Sequence, residues 1–282
     1  MTDVTPEHDR ARLEVLPLAG IVEEVARLPR PIRIVVTCSP KHGPDRGVEV
    51  AAQLRELDHE LTVNVAARMV RDRDHLDQLL AGLADAGVDD LFLIGGDIKD
   101  PVGEYSSALD LLPLVVDHPQ RPGLIGVAGY PEGHPLISAE ELGRVLRDKS
   151  RLADYAVTQM CFDPDALRTW IVSEREQGMD LPIVIGMPGK VARRKLLTMS
   201  ARIGVGPSLD FLRKQKGLRR LLSRRSTADR LYDEIAPLLD DPELALAGLQ
   251  YFTFNELLQT WEWHQKKRRV GHDTKQPARA AG

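Results

Sequence analysis

The chain has 282 residues, 43% of them hydrophobic, and a formal charge of −4, enough apolar material for one large core and too little basic excess for a general nucleic-acid or membrane surface. No run approaches the ~18 apolar residues of a membrane helix, and Met1 to Arg10 holds no apolar signal segment. Two cysteines, Cys38 and Cys161, lie inside apolar runs, as reduced thiols of a cytoplasmic protein do, and no Cys/His cluster has zinc spacing, so no metal is expected.

After a polar leader (residues 1–12) read as disordered, Leu13-Glu14-Val15-Leu16-Pro17 is a short apolar strand with one acid inside it. In a barrel, alternate residues point inward, so Glu14 and Leu16 share a face. A carboxyl in that interior has its neutral form favoured by desolvation, as a general acid at neutral pH requires. The other reading is an outward Glu in a frayed edge strand.

Ile21 to Leu28 reads as a short helix. Arg33 to Ser39 is β-branched and bounded by prolines, a second strand with Thr37 and Ser39 at its exit. A helix over Arg46–Leu57 leads to a third strand, Leu61 to Arg68, which contains Asn64. A helix over His75–Ala86, with Leu76, Leu79, Leu80 and Leu83 on one face, stops at Gly87. Leu91 to Ile94 is then an apolar run too short for a helix, a strand buried on both faces. It ends at Gly95-Gly96-Asp97. A carboxylate at the carboxyl end of a buried parallel strand faces the ligand side, or else caps the next turn.

A helix over Ser106–Val116 precedes a small-residue strand from Gly123 and a rigid loop, Tyr130-Pro131-Glu132-Gly133-His134-Pro135, which presents Tyr130, Glu132 and His134. The helix Ser138–Leu152 opens on a capping-box pattern. Tyr155 to Asp163 reads as the sixth strand, with Gln159 breaking its apolar run, so its amide must be paired by the protein or by a ligand. Asp163 before Pro164 reads as an N-cap. Leu181 to Gly186 is the seventh strand; Lys190, soon after it, reads as an exposed lysine or a contact for an anionic group. Helices fill Val191 to Leu239, including the basic stretch Arg213 to Arg225, a solvated face or a docking surface. Leu249 to Asn255 is the eighth strand and Glu256 to Gln265 the last helix. The basic tail 266–282 lacks an apolar pattern and reads as disordered.

Eight apolar segments, each followed by helical sequence, fit a single (β/α)8 TIM barrel over residues 13–265, with extra helices before the last strand. Glu14, Thr37, Asp97, Tyr130, His134 and Gln159 all fall at or near strand ends, so they converge on one mouth.

The order strand-Glu, strand-Thr, Gly-Asp, Tyr-Pro-Glu-x-His-Pro and Thr-Gln resembles the methylenetetrahydrofolate reductase family, from about Leu13 to Asn255. The resemblance implies reduction of 5,10-methylenetetrahydrofolate to 5-methyltetrahydrofolate with electrons from a nicotinamide. It implies that Glu14 assists protonation of N10 and ring opening, that Asp97 faces the pterin and the developing cation, and that Gln159 and Thr37 meet the pterin, with Tyr130 and His134 beside it. The family's cofactor contacts fall on Tyr105 and Ser106 after the Gly-Asp loop, on Asn64 and on Lys149.

The departures matter equally. The arginine before Gly-Asp that meets the flavin diphosphate is Gly95 here; Pro-His-x-Thr is replaced at Asn64-Val65-Ala66; the lysine after the Tyr-Pro-Glu loop is displaced to Lys149. A neutral glycine offers no charge-assisted hydrogen bond to a diphosphate. Pterin-side residues survive while flavin-side residues do not, which counts against FAD and implies a nicotinamide cosubstrate, NADH or NADPH, passing its hydride directly. The alternatives are a conventional FAD enzyme whose diphosphate is held by Lys41, Arg68 or Lys149, and a non-catalytic folate-binding partner of a methyltransferase. The expected partners are a small-molecule folate and a nicotinamide, with no nucleic acid and no membrane; nothing in the sequence specifies an oligomeric state.

Overall fold

The computed structural model describes residues 11–29, 31–192, 194–195 and 227–275, with side chains as far as residue 269. The strands are β1 (Arg12–Val15), β2 (Arg33–Val36), β3 (Glu60–Ala66), β4 (Asp90–Ile94), β5 (Leu124–Gly129), β6 (Tyr155–Thr158), β7 (Ile183–Pro188) and β8 (Leu246–Phe252). They pair in parallel in sequence order, and β8 returns to β1 to close the barrel. The helices are α1 (Ile21–Val25), α2 (Gly43–Leu54), α3 (Arg73–Asp85), α4 (Ala108–Val116), α5 (Ala139–Ser150), α6 (Pro164–Glu176), α7 (Thr227–Ile235) and α8 (Leu257–Lys275). This is the expected (β/α)8 architecture, in which short apolar parallel strands alternate with helical segments that carry the chain back over the sheet.

Strand alternation divides the core into two shells. Leu13, Val15, Ile34, Val36, Val63, Val65, Leu91 and Leu93 belong to the outer shell beneath the helices. The residues between them point to the axis, where Phe92, Tyr155, Val157 and Val184 form a separate inner cluster. The floor of the barrel is polar. Arg12 Nη1 donates to Asp90 Oδ2 (3.2 Å) and to Tyr155 Oη (2.9 Å), and Asp90 also accepts from Thr62 Oγ1 (2.8 Å) and Tyr155 Oη (2.6 Å). Arg12 lies 4.4 Å from the Tyr155 ring centroid. Gly126 makes room for that ring: a Cβ there would stand 2.3 Å from Tyr155.

Several boundaries differ from the sequence expectation. β6 ends at Thr158, so Gln159 lies just past the strand rather than in its middle. β8 begins at Leu246, three residues early, where a register shift opposite Ile183 and Val184 disguises the alternation. α4 starts at Ala108 because Ser107 caps it in a capping box with Asp110. α8 runs to Lys275, through the first part of the basic tail. The leader up to residue 10, the Arg213 to Arg225 stretch and residues 276–282 lie outside the described residues.

Candidate active site

Because all eight strands run the same way, their carboxyl ends form one mouth, and the side chains just inside or beyond those ends share it. Glu14 is the penultimate residue of β1, between Leu13 and Val15 of the outer shell, so it points to the axis. Its Oε2 accepts from Gln250 Nε2 of β8 at 3.1 Å. Burial lifts its carboxyl from the ordinary 4.5 to about 8, only partly opposed by the Gln250 hydrogen bond, so the acid holds its proton at neutral pH. With Oε2 accepting from the amide, that proton is left to Oε1.

The β1–β8 seam is stitched by side chains around this acid. Thr253 Oγ1 donates to the Glu14 carbonyl, Asn255 Oδ1 accepts from Leu16 N (2.8 Å), and Asn255 Nδ2 donates to Leu16 O (3.1 Å). Phe254 and Asn255 carry φ values of 48° and 65°, and this turn directs the Asn255 amide back to β1. Backbone held in so sparsely populated a region concentrates at functional sites.

Asp97 follows the Gly95-Gly96 turn, in which Gly96 (φ 94°) lies against Ala66: a Cβ on Gly96 would approach Ala66 Cβ to 2.9 Å. No cap hydrogen bond from the Asp97 side chain is found among the described residues. Burial raises its carboxyl, and His134 opposes the shift. Reciprocally, burial lowers the His134 imidazole while Asp97 supports its charge, and Tyr130 is raised first by burial and then by Asp97. Tyr130 and His134 meet edge to face, with centroids 5.4 Å apart. The ends of β4 and β5 therefore bring Asp97, Tyr130 and His134 into one electrostatic group.

Gln159 stands at the end of β6, across the mouth from Glu14. Its Oε1 accepts from Met160 N at 2.8 Å, which leaves the amide NH2 to offer. Thr37 follows β2, its backbone N–H bound to Val15 O. Asn64, 3% exposed, alternates with outer-shell Val63 and Val65 and so points inward, and its Oδ1 is buried without a hydrogen-bond partner among the described residues.

The other residues picked out from the sequence have different partners. Tyr105 is buried in the outer shell. Ser106 Oγ donates to Asp110 Oδ2 (3.0 Å) at the start of α4. Lys149 of α5 is 6% exposed and donates from Nζ to Ala128 O at 2.8 Å, with its pKa lowered by burial to about 8. Arg68 donates from Nη2 to Lys99 O (2.9 Å) and from Nη1 to Ser106 O (3.3 Å). Lys190 pairs with Asp229 of α7 at 2.7 Å. Lys41 stands exposed in the turn after β2. Gly95 supplies no side chain for a diphosphate, and Arg68 and Lys149 already donate to backbone carbonyls.

Gln250 and Asn255 are the site residues that sequence reasoning passed over. The signal that picks out Gln159, an amide interrupting an apolar strand, is equally present at Gln250 in Leu249-Gln250-Tyr251-Phe252. Among the described residues no group of three or more His, Cys, Asp or Glu is placed to hold a metal ion, and no helix is long and apolar enough to cross a membrane.

Fold and site together define a (β/α)8 barrel with a protonated acid at the mouth, a second carboxylate beside a histidine, and amides facing in from opposite sides. A methylenetetrahydrofolate reductase family model matches residues 20–201, more than half of the chain, and the chain belongs to that family. The matched region carries Thr37, Asn64, Asp97, the Tyr130–Pro135 loop and Gln159, while Glu14 and Gln250 flank it. Methylenetetrahydrofolate reductase 1 of Schizosaccharomyces pombe is 31% identical over 137 residues, 46% of this chain and 22% of that protein. Methylenetetrahydrofolate reductase 2 of Saccharomyces cerevisiae is 34% identical over 89 residues, 30% of this chain and 15% of that protein. The matched segments thus span under a quarter of either relative's length. Among solved structures, a Yersinia pestis DHPS bound to a pterine-sulfa conjugate aligns over 94% of this chain and 96% of its own, at 12% identity and a TM-score of 0.49. A dihydropteroate synthase of Burkholderia cenocepacia covers 94% of each chain at 13% identity and a TM-score of 0.43. Similarity at that level carries no chemistry across.

Proposed function

We propose that this protein reduces 5,10-methylenetetrahydrofolate to 5-methyltetrahydrofolate with NADH or NADPH, by direct hydride transfer without a flavin. The observation that carries this reading is Glu14, whose proton is retained at neutral pH and whose Oε2 is fixed by Gln250, in a mouth where Arg68 and Lys149 are already bound to backbone carbonyls.

In this reading Glu14 gives its proton to N10 as the bond from N10 to the bridging methylene breaks, the electron pair staying on nitrogen. The methylene carbon becomes the 5-iminium cation, near which the Asp97 carboxylate is favourable. The dihydronicotinamide delivers a hydride to that carbon, giving the 5-methyl group and an oxidised nicotinamide. Glu14 is reprotonated from water. The free NH2 of Gln159 donates to an acceptor on the pterin edge, Thr37 closes beside it, and the orphaned Asn64 Oδ1 accepts from a ring N–H or from the nicotinamide carboxamide. Tyr130 and His134 offer ring faces to the flat substrates. The two buried free thiols suit a cytoplasmic setting.

The test is anaerobic oxidation of NADH by the purified protein with methylenetetrahydrofolate, with and without added FAD. Turnover independent of FAD is expected. A requirement for FAD, or stoichiometric absorbance at about 450 nm in the purified protein, refutes direct transfer; no turnover under either condition refutes the reductase reading.

A further inference from the structure

Glu132 lies inside the Tyr130-Pro131-Glu132-Gly133-His134-Pro135 motif, and nothing in the reaction above uses it. It belongs to the loop after β5 that carries Tyr130 and His134, yet its hydrogen bonds are made to the segment after β6. Its Oε1 accepts from the backbone N–H groups of both Phe162 and Asp163, the latter at 2.8 Å. Those two residues lie immediately before α6, whose N-cap is Asp163, so the carboxylate meets unsatisfied donors at the positive end of a helix. The segment so held starts at Gln159, where the Gln159 side chain accepts from Met160 N and the Gln159 carbonyl accepts from Cys161 Sγ at 3.1 Å. On the other side, the loop is closed by Gly133 N bonding Tyr130 O (3.0 Å) and by the Tyr130–His134 ring contact.

We infer that Glu132 is a positioning residue, a clamp that holds the Tyr130–His134 loop and the Gln159 segment as one rigid wall of the mouth. Resting on the reading above, this gives the wall a job: Tyr130 and His134 stand by Asp97, Gln159 meets the pterin, and hydride transfer needs both held at a fixed separation. A carboxylate supplies one oxygen that can accept from both backbone N–H groups, and an amide oxygen can do the same; a methyl group offers no acceptor. Burial raises the Glu132 carboxyl, the Phe162 and Asp163 N–H groups oppose that shift and the Asp163 carboxylate adds to it, with the Cys161 thiol beside them; Glu132 Oε2 is buried without a hydrogen-bond partner among the described residues.

The test compares Glu132→Ala with Glu132→Gln in the full chain. Hydrogen–deuterium exchange of the protein without substrates is read first. Glu132→Ala is expected to speed exchange at Phe162 and Asp163, and also at Gly133 in the opposite loop, by about tenfold or more, while Glu132→Gln stays near wild type. In the NADH assay, Glu132→Ala is expected to raise the KM for the folate about tenfold with a smaller fall in kcat, and Glu132→Gln to restore it. Faster exchange confined to Phe162 and Asp163, or equal behaviour of the two variants, overturns the clamp. The exchange result does not depend on the reaction, so an inactive wild type would remove the reductase reading and leave the clamp to be judged on exchange alone.

Discussion

Glu14 shows at the scale of one side chain how stability and function pull apart. In the unfolded chain its carboxyl ionises around the ordinary 4.5, while in the barrel it keeps its proton to about 8. Below pH 4.5 both states are protonated and folding is unpenalised. Between those values only the unfolded state ionises, so folding stability falls by ~1.4 kcal/mol per pH unit, and above 8 the loss is constant. Glu14→Gln, which keeps an oxygen for Gln250 to donate to, is therefore expected to melt above wild type at pH 8, by a margin worth ~2–4 kcal/mol. That margin should vanish near pH 4; a gap equal at both pH values, read by thermal melts, would mean that the carboxyl is solvated. The same variant is expected to abolish NADH oxidation while folate affinity stays within several-fold, checked by turnover and by equilibrium binding. Activity of the wild type should decline above about pH 8 as Glu14 loses its proton. The acid itself was legible in the sequence because a lone Glu in an apolar strand is conspicuous. Its partner was not, because Gln250 lies 236 residues away and only closure of the barrel brings the two together.

At the scale of elements, the turns that end strands do more than connect them. Gly96 holds a positive φ and leaves only 2.9 Å for a Cβ against Ala66, so the Gly-Gly turn sets where Asp97 emerges. Gly96→Val is expected to destabilise the fold by ~1–3 kcal/mol through backbone strain and contact with β3, read by urea titration, and to lower kcat through displacement of Asp97. At the other face of the mouth, Asp163 caps α6 by accepting from Asp165 N and Ala166 N. Asp163→Ala should cost about 1 kcal/mol of stability, and an effect on KM much smaller than that of Glu132→Ala would separate helix capping from clamping. Caps of this kind are local in sequence, and Asp163-Pro164 and Ser138 were readable as such. The extent of β6 was not, since Met160 to Phe162 resume the apolar run beyond Gln159 although the strand ends at Thr158.

At the scale of the whole molecule, the barrel rests on a buried ionic floor. Arg12 and Asp90 come from β1 and β4, with side chains 7% and 16% exposed, and Tyr155 of β6 bonds to both. Removing one member strands a charge in the interior, so Arg12→Met is expected to destabilise the protein by ~3–5 kcal/mol in urea unfolding. High salt should not reproduce that loss, because the pair is shielded from solvent. The polar floor also explains why a strand starting with arginine sits in a barrel centre. Arg12 closes the bottom beneath Glu14, and the two shells of the core stay distinct.

The amino-acid sequence by itself determined the class of fold and the order of the strands, and it put Glu14, Thr37, Asp97, Tyr130, His134 and Gln159 at or near strand ends, which is where they lie. Those features depend on short-range periodicity and on the rule that parallel strands share one carboxyl end. Only the tertiary structure decided which of those groups are already engaged. It tied Lys149 and Arg68 to carbonyls, left the Asn64 oxygen without a partner among the described residues, set Gln250 on Glu14 and joined Glu132 to the far side of the β6 loop. Such pairings follow from the stagger and closure of the sheet, which place residues far apart in the chain within hydrogen-bond reach and leave no trace in local pattern.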